Sequence, residues 1–194
     1  MKITLRCCTP TIFLVLFGVI GGCGSDDSAP GGGDAGSGDA NEMKITSSTG
    51  DWNVYANPYG DGGASNPISA MIKGSAEAFA TGTGMRVKLS VTGLPASRPF
   101  GSHIHKLACD DNKAGGHYQN NAAPDGGAAD PMYANNKNEV WLDFVTDATG
   151  AGSAEAKVDF IPRTGEAKSV MIHDMMTMTG GLAGAKLACI NMPF

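Results

Sequence analysis

Apolar and polar residues alternate with a period of two along much of the chain, which is the pattern of β-strands that bury one face. Between residues 85 and 92, Met85, Val87, Leu89 and Val91 alternate with polar residues. Similar segments are 140–145, 154–160, 169–173 and 186–191, with weaker ones at 52–56 and 76–81. No window shows a convincing helical period. The pattern therefore predicts an all-β domain, either a sandwich or a flattened barrel.

Residues 107–138 interrupt this alternation and are rich in glycine, asparagine, aspartate and alanine. Such a composition predicts one long loop. A loop of this length inside a compact domain usually has a function or a bound ion that orders it. The segment is therefore a candidate location for a site.

The N-terminal segment has the organisation of an export signal. Lys2 and Arg6 precede an apolar run over 12–20, which is too short to anchor the chain across a bilayer. The run ends in Ile-Gly-Gly-Cys, which resembles a bacterial lipobox. We therefore expect residues 1–22 to be a lipoprotein signal peptide and Cys23 to be lipidated. An ordinary secretory signal is the alternative. Glycine after the cysteine favours the outer membrane and periplasm within the cell envelope.

Composition separates a linker from a folded domain. Residues 24–42 contain no large apolar side chain, so they cannot bury enough surface to offset the entropy of ordering them. We expect residues 23–42 to be a lipidated flexible linker and residues 43–194 to be the domain. The formal net charge is −5 and no basic stripe is present, which argues against nucleic acid as a partner. The expected membrane contact is through the lipid.

Two cysteines fall in the body of the chain, Cys109 and Cys189. Export would supply an oxidising compartment, which favours a single disulfide between them. The alternative is two unrelated buried thiols.

The chain has four histidines, at positions 103, 105, 117 and 173. His103 and His105 lie two residues apart, so on an extended strand both imidazoles point to the same side while Ile104 packs inward. His117 lies in the long loop, and His173 ends an apolar segment. Imidazole is a ligand for copper, zinc and nickel, and four nitrogen ligands suit copper(II). Each histidine alone is as compatible with an ordinary hydrogen-bonded position.

Several segments taken together resemble the copper/zinc superoxide dismutase family, over about residues 85–194. They are Leu94 followed by GSHIH at 101–105, with Ser102 where phenylalanine is usual, GGH at 115–117, SVMIH at 169–173 and GAKLAC at 184–189. The resemblance implies a Greek-key β-sandwich with a long metal-binding loop. It also implies that the four histidines bind copper, that Cys109 pairs with Cys189, and that Lys186 replaces an active-site arginine.

The chain departs from this family where the zinc site is expected. No histidine lies between His117 and His173, and the stretch from His173 to Cys189 is short. Two carboxylates, Asp125 and Glu139, stand near the positions of missing zinc ligands, and without imidazoles they make a poor zinc site. The chain thus resembles the copper-only branch, with one copper ion and zinc unlikely. Glu139, and after it Asp125, are candidates to accept a hydrogen bond from His117. The alternative is that Glu139 only starts a strand at the solvent edge.

The function implied by the resemblance is an extracytoplasmic superoxide dismutase that converts superoxide to dioxygen and hydrogen peroxide. His117 and Lys186 are the expected catalytic residues, with Lys186 attracting the anionic substrate. Two alternatives remain open. One is a non-catalytic copper-handling lipoprotein, suggested by methionines 171, 175, 176, 178 and 192. The other is a structural or adhesive surface domain with a vestigial site. The oligomeric state is open.

Overall fold

The structure is a computed structural model that describes residues 42–68, 71–124 and 128–194. It contains nine strands in these ranges. In chain order they are β1 (Met43–Asp51), β2 (Asn53–Val54), β3 (Lys73–Ala80), β4 (Met85–Thr92), β5 (Pro99–His105), β6 (Phe144–Val145), β7 (Gly152–Val158), β8 (Ser169–His173) and β9 (Lys186–Asn191). One 3₁₀ turn covers Asn112–Ala114. In this part of the chain no helix is long and apolar enough to cross a membrane.

The strands form two antiparallel sheets. The first has the order β1-β3-β4-β7 and the second the order β2-β9-β8-β5-β6. The chain passes back and forth between the sheets, as in Greek-key sandwiches. The predicted all-β sandwich is confirmed.

The core lies between the sheets because each contributes the apolar side of its alternation. From β4, Val87 and Leu89 are buried while Lys88 is exposed. From the second sheet, Ile104 and Ile172 are buried in the same cluster. Lys88 pairs in register with Glu77 of β3 and Glu155 of β7, so the outer face of the first sheet is charged and solvated.

The alternation located most strands well and one poorly. The predicted segments 85–92, 169–173 and 186–191 coincide with β4, β8 and β9. The expected strand over 140–145 is reduced to Phe144–Val145, although its alternating residues Val140, Leu142 and Phe144 are all buried as predicted. The expectation of a full strand was wrong because Trp141 makes only an isolated bridge to β5. β1 was not predicted.

The long loop contains no strand in its described parts, yet hydrogen bonds fasten it at several points. A clasp of hydrogen bonds joins Asn120 and Asn121, in the middle of the loop, to Asn138 at its end. The Asn120 N–H donates to the Asn138 carbonyl at 2.9 Å, and the Asn138 side-chain amide donates to the Asn121 carbonyl at 2.8 Å. The predicted loop therefore has an irregular path, and hydrogen bonds between its middle and its end hold it together.

Candidate metal centre

Two antiparallel neighbours, β5 and β8, bring three histidines onto one side of the second sheet. Pairing places His103 opposite Met171 and His173 opposite Gly101. His105 follows two residues after His103 on the same face, as the period of a strand requires. The residue between them, Ile104, is 1% exposed and belongs to the core. The sandwich therefore orients these imidazoles as a consequence of burying Ile104.

The long loop contributes the fourth histidine by running back along β5. His117 forms an antiparallel bridge with His105. On either side, the Lys106 N–H donates to the Gly116 carbonyl at 3.0 Å and the Tyr118 N–H donates to the Ile104 carbonyl at 2.8 Å. His117 is thus held in strand-like register beside the other ligand candidates, although it lies outside any named strand.

The four imidazoles form one cluster. Each offers a ligand nitrogen, and these four nitrogens all lie within 4.8 Å of one another. Two metal–nitrogen bonds of about 2.0–2.1 Å span at most about 4.2 Å, so small side-chain shifts bring all four within reach of one ion. His103, His105 and His173 are buried, and His117 is partly exposed. Four histidines from three chain segments can hold a metal ion here.

The hydrogen bonds of His105 and His173 indicate that a cation belongs between them. The His105 Nδ1–H donates to the Gly115 carbonyl at 3.0 Å and the His173 Nδ1–H donates to the Gly184 carbonyl at 3.3 Å. Both Nε2 atoms then carry lone pairs, and they face each other at 3.1 Å. Two acceptors at this separation repel. An ion bound by both nitrogens would replace this repulsion with two bonds, and the observed separation fits metal–nitrogen bonds of about 2.0 Å.

The other two rings follow the same rule, with one nitrogen bound to the protein and the other left for an ion. The His117 Nδ1–H donates to Glu139 Oε2 at 3.0 Å, which leaves Nε2. His103 is reversed: its Nε2 lies 2.6 Å from the Thr177 hydroxyl, while its buried Nδ1 has no hydrogen-bond partner in the structure. An orphaned buried nitrogen costs free energy unless a ligand satisfies it. The donor set therefore fits one ion of copper, zinc or nickel.

Glu139 is a buried carboxylate, 1% exposed, that three donors share. Its Oε2 accepts from His117 and from the Trp141 indole N–H at 2.8 Å, and its Oε1 accepts from the Gln119 amide at 2.8 Å. Gly181 covers the carboxylate: with φ of +70°, its position would bring a Cβ within 3.3 Å of Glu139 Oε2. The alternative drawn from the sequence, in which Glu139 only starts a strand at the solvent edge, does not fit this buried side chain.

Replacing Glu139 with glutamine should weaken metal binding by about 10–100-fold, the usual effect of removing a partner of a metal-binding histidine. A glutamine amide has one oxygen and one NH₂ group, so it must point a donor at one of the three present donors. Competition titration with a metal chelator measures the change. Glu166→Gln, at a carboxylate that pairs with Arg163 on the surface, is the matched control. Equal affinities for both variants would remove Glu139 from the centre.

Lys186 lies beside the cluster. It lines a cavity of about 360 Å³ together with His105, His117 and His173. Its ammonium donates to the carbonyls of Lys113, at 2.9 Å, and Gly115. Burial, and then the nearby charge of Lys113, lower its pKa. The carbonyl of Gly115 therefore accepts from both Lys186 and His105.

Burial also acts on the histidines. Loss of water around the rings, and then the charge of neighbouring His117, hold the pKa of His103 and His105 well below the ordinary value of 6.5. The same two causes lower the pKa of His173 to about 3. These three rings are therefore neutral at physiological pH, which is the state that binds a metal.

The metal-free protein should lose stability as the pH falls from about 6.5 to 4.5. In this window the unfolded chain protonates these histidines and the folded chain does not, so unfolding becomes more favourable by up to about 1.4 kcal/mol per pH unit for each ring. The unfolding midpoint of chelator-treated protein across this range measures the effect. His173→Asn should make the dependence shallower. Identical pH profiles for the two proteins would contradict the buried neutral state.

The structure also contains a disulfide between Cys109 and Cys189, whose Cα atoms are 5.6 Å apart. It joins the start of the long loop to β9. A disulfide favours an oxidising, extracytoplasmic compartment. The predicted lipidation site Cys23 and the candidate carboxylate Asp125 lie outside the described residues.

Spacing arguments did not find several residues that contact the centre: Gln119, Trp141, Asp143, Thr177 and Gly181. Asp143 and Trp141 fell on the polar side of the alternation at 140–145, which carried no sign of a role. The others lie in loops, whose path cannot be predicted from local sequence patterns. Their contacts arise only when the loops pack together.

Comparison with known proteins gives structural neighbours alone. No family model and no curated protein matches the chain. Among solved structures, a double mutant of a SOD-like protein from Bacillus subtilis is 20% identical, with 61% of this chain and 87% of that chain covered and a TM-score of 0.47. The clock protein EA4 is 18% identical, with 68% and 97% covered and a TM-score of 0.46. Similarities at this level carry no argument about a metal or a reaction.

Proposed function

We propose that this chain is an extracytoplasmic, copper-dependent superoxide dismutase with one copper ion and no zinc. The observation that carries the proposal is the arrangement of the four imidazoles. Each ring has one nitrogen hydrogen-bonded to the protein, and the four ligand nitrogens lie within 4.8 Å of one another. Four nitrogen donors suit copper(II). The cluster is also the one group of three or more potential ligands found close together in the described residues.

Bound copper would supply one-electron oxidation and reduction. The protein supplies geometry, access and charge. The backbone carbonyls of Gly115 and Gly184 orient His105 and His173. Glu139 keeps the proton of His117 on Nδ1, so that its Nε2 stays available to the ion.

Lys186 gives the cavity a positive charge. Superoxide is a small anion, and a cation in a cleft raises its local concentration. An ammonium lacks the planar fork of arginine, so Lys186 attracts the anion without fixing its orientation. The carbonyls that accept from Lys186 hold its ammonium near the three cavity histidines.

The location is part of the proposal. The Ile-Gly-Gly-Cys motif would place a lipid on Cys23 and anchor the domain at the bacterial cell envelope, with the outer membrane and periplasm favoured. The disulfide supports a compartment outside the cytoplasm. Superoxide and the membrane are the partners that the proposal requires.

Exposed methionines favour one second candidate, a protein that handles copper without turnover. Met175, Met176 and Met178 follow His173 and are 42%, 38% and 50% exposed. Thioethers bind copper(I) well. Met171 and Met192, in contrast, are fully buried and fill the interior. The methionines therefore do not act as one cluster, which favours the dismutase.

Metal analysis and a superoxide turnover assay on the purified chain test the proposal. We expect one copper per chain, no zinc, and rapid turnover that is lost on chelation and restored by copper. Electron paramagnetic resonance should show four nitrogen ligands. Tight copper binding with sulfur ligation and negligible turnover would support copper handling instead. Absence of tight copper binding would leave only a structural role.

A further inference from the structure

The connection between β8 and β9 is a hairpin whose two sides bond to each other. The Asp174 N–H donates to the Ala185 carbonyl and the Met175 N–H to the Ala183 carbonyl, both at 3.0 Å. This hairpin places Thr177 over the cluster, with its hydroxyl 2.6 Å from His103 Nε2. The contact lies on the side of His103 away from its orphaned Nδ1.

Asp143 fixes the direction of this contact. Its Oδ2 accepts from the Thr177 backbone N–H at 2.7 Å and its Oδ1 accepts from the Ser102 N–H at 3.2 Å, so the carboxylate acts as an acceptor. The Thr177 hydroxyl lies 2.6 Å from Asp143 Oδ1. A threonine hydroxyl has a single proton. If that proton pointed to His103, the Thr177 hydroxyl oxygen and Asp143 Oδ1 would face each other at 2.6 Å with no proton between them.

The hydroxyl proton therefore goes to Asp143, and the hydroxyl oxygen must accept. Its remaining neighbour is His103 Nε2, which must then carry the ring proton. A neutral imidazole has one proton, so Nδ1 is left with a lone pair directed at the cluster. The chain from Asp143 through Thr177 thus selects the tautomer in which His103 can bind an ion.

We propose that Thr177 is a positioning residue that, oriented by Asp143, holds His103 in its metal-binding tautomer. The proposal rests on the proposed function for the identity of the ion as copper. His103 differs from the other three ligands, which bond to carbonyl or carboxylate oxygens that only accept. Thr177 can either donate or accept, so it orients the ring only because Asp143 takes its proton.

The first test needs no variant and no copper. The ¹⁵N chemical shifts of the histidine rings in chelator-treated full-length protein, at a pH where the rings are neutral, report which nitrogen carries the proton. We expect His103 to be protonated at Nε2. Protonation of His103 at Nδ1 in this protein would overturn the proposal, whatever the dismutase activity.

The second test compares three variants for copper affinity by chelator competition. Thr177→Val removes the hydroxyl at nearly the same volume and should weaken binding about 10–100-fold. It should also move part of the His103 population to the other tautomer. Thr177→Ser keeps the hydroxyl and should bind as the wild type does. Thr179→Val makes the same change at an exposed position of the same hairpin and should have no effect.

Equal affinity and an unchanged tautomer in Thr177→Val would refute the role of the hydroxyl. Comparable losses in all three variants would show that the hairpin acts through packing, which also contradicts the proposal. These outcomes are separable from the proposed function. A wild type that dismutes superoxide while Thr177→Val binds copper normally leaves the function intact. A wild type with the expected tautomer and no turnover leaves the inference intact.

Discussion

Replacing His117 with alanine should abolish superoxide turnover and lower copper affinity by more than about 100-fold. Loss of even an outer hydrogen-bond partner of a ligand costs about 10–100-fold, and this substitution removes a ligand itself. It also leaves the buried carboxylate of Glu139 without one of its three donors. Turnover per bound copper and the copper dissociation constant should both be measured.

The matched control for this experiment is Asn136→Ala, at an exposed position of the same long loop. It should keep wild-type activity and copper content, and both variants should retain the far-ultraviolet spectrum of a β-protein. If His117→Ala keeps full activity with one bound copper, then the third ligand has been assigned to the wrong residue. The remaining three histidines would then have to suffice.

Removing the disulfide should destabilise the domain by about 4 kcal/mol. The crosslink joins residues that are 80 positions apart. Closing a loop of that length in the unfolded chain restricts its entropy by an amount equivalent to about 4–5 kcal/mol at room temperature, within the usual range of about 2–5 kcal/mol for native disulfides. Denaturant unfolding of Cys109→Ala/Cys189→Ala against the wild type measures the difference.

Two comparisons separate crosslinking from the loss of packing around the sulfurs. Reduced wild-type protein, unfolded with a reductant present, should lose a similar amount of stability because it lacks the same bond. Copper affinity should fall in both proteins, because Cys109 anchors the loop that carries Gly115 and His117. An unfolding midpoint equal to that of the oxidised wild type would show that the bond does not constrain the chain.

The strands that sequence located best are those whose two faces differ most. In β4 the buried and exposed residues alternate from Val87 onwards, so the period is visible without the structure. In β1, by contrast, the burial alternates weakly and the residues are mostly small and polar. Among the described strands, β1 lies at an edge and pairs with β3 alone. Its position depends on a partner strand, which local periodicity does not reveal.

The histidine cluster was predictable in part for a physical reason. The strand period placed His103 and His105 on one face, the scarcity of histidines made His117 and His173 candidates as well, and the resemblance joined all four in one site. The hydrogen-bond partners of the imidazole rings were harder to predict. Glu139 was a candidate because one carboxylate near His117 was expected, whereas nothing marked Thr177. Its role depends on the path of a hairpin, and hairpin paths follow from packing rather than from residue type.

The clasp between residues 120–121 and Asn138 separates the long loop into two parts with different freedom to evolve. His117 and Glu139 lie on the near side of the clasp and stay in register with the sheet. The described residues between the two ends of the clasp, 122–124 and 128–137, belong to an excursion whose ends lie at nearly the same point. Insertions at its exposed tip, Pro131 and Met132, and side-chain changes at the exposed Ala128 and Ala129 should be tolerated, because the backbone bonds that hold His117 beside β5 are outside the excursion. Relatives could therefore vary in the shape of the cavity mouth, where Ala128 and Ala129 lie, while the chemistry beneath it stays the same.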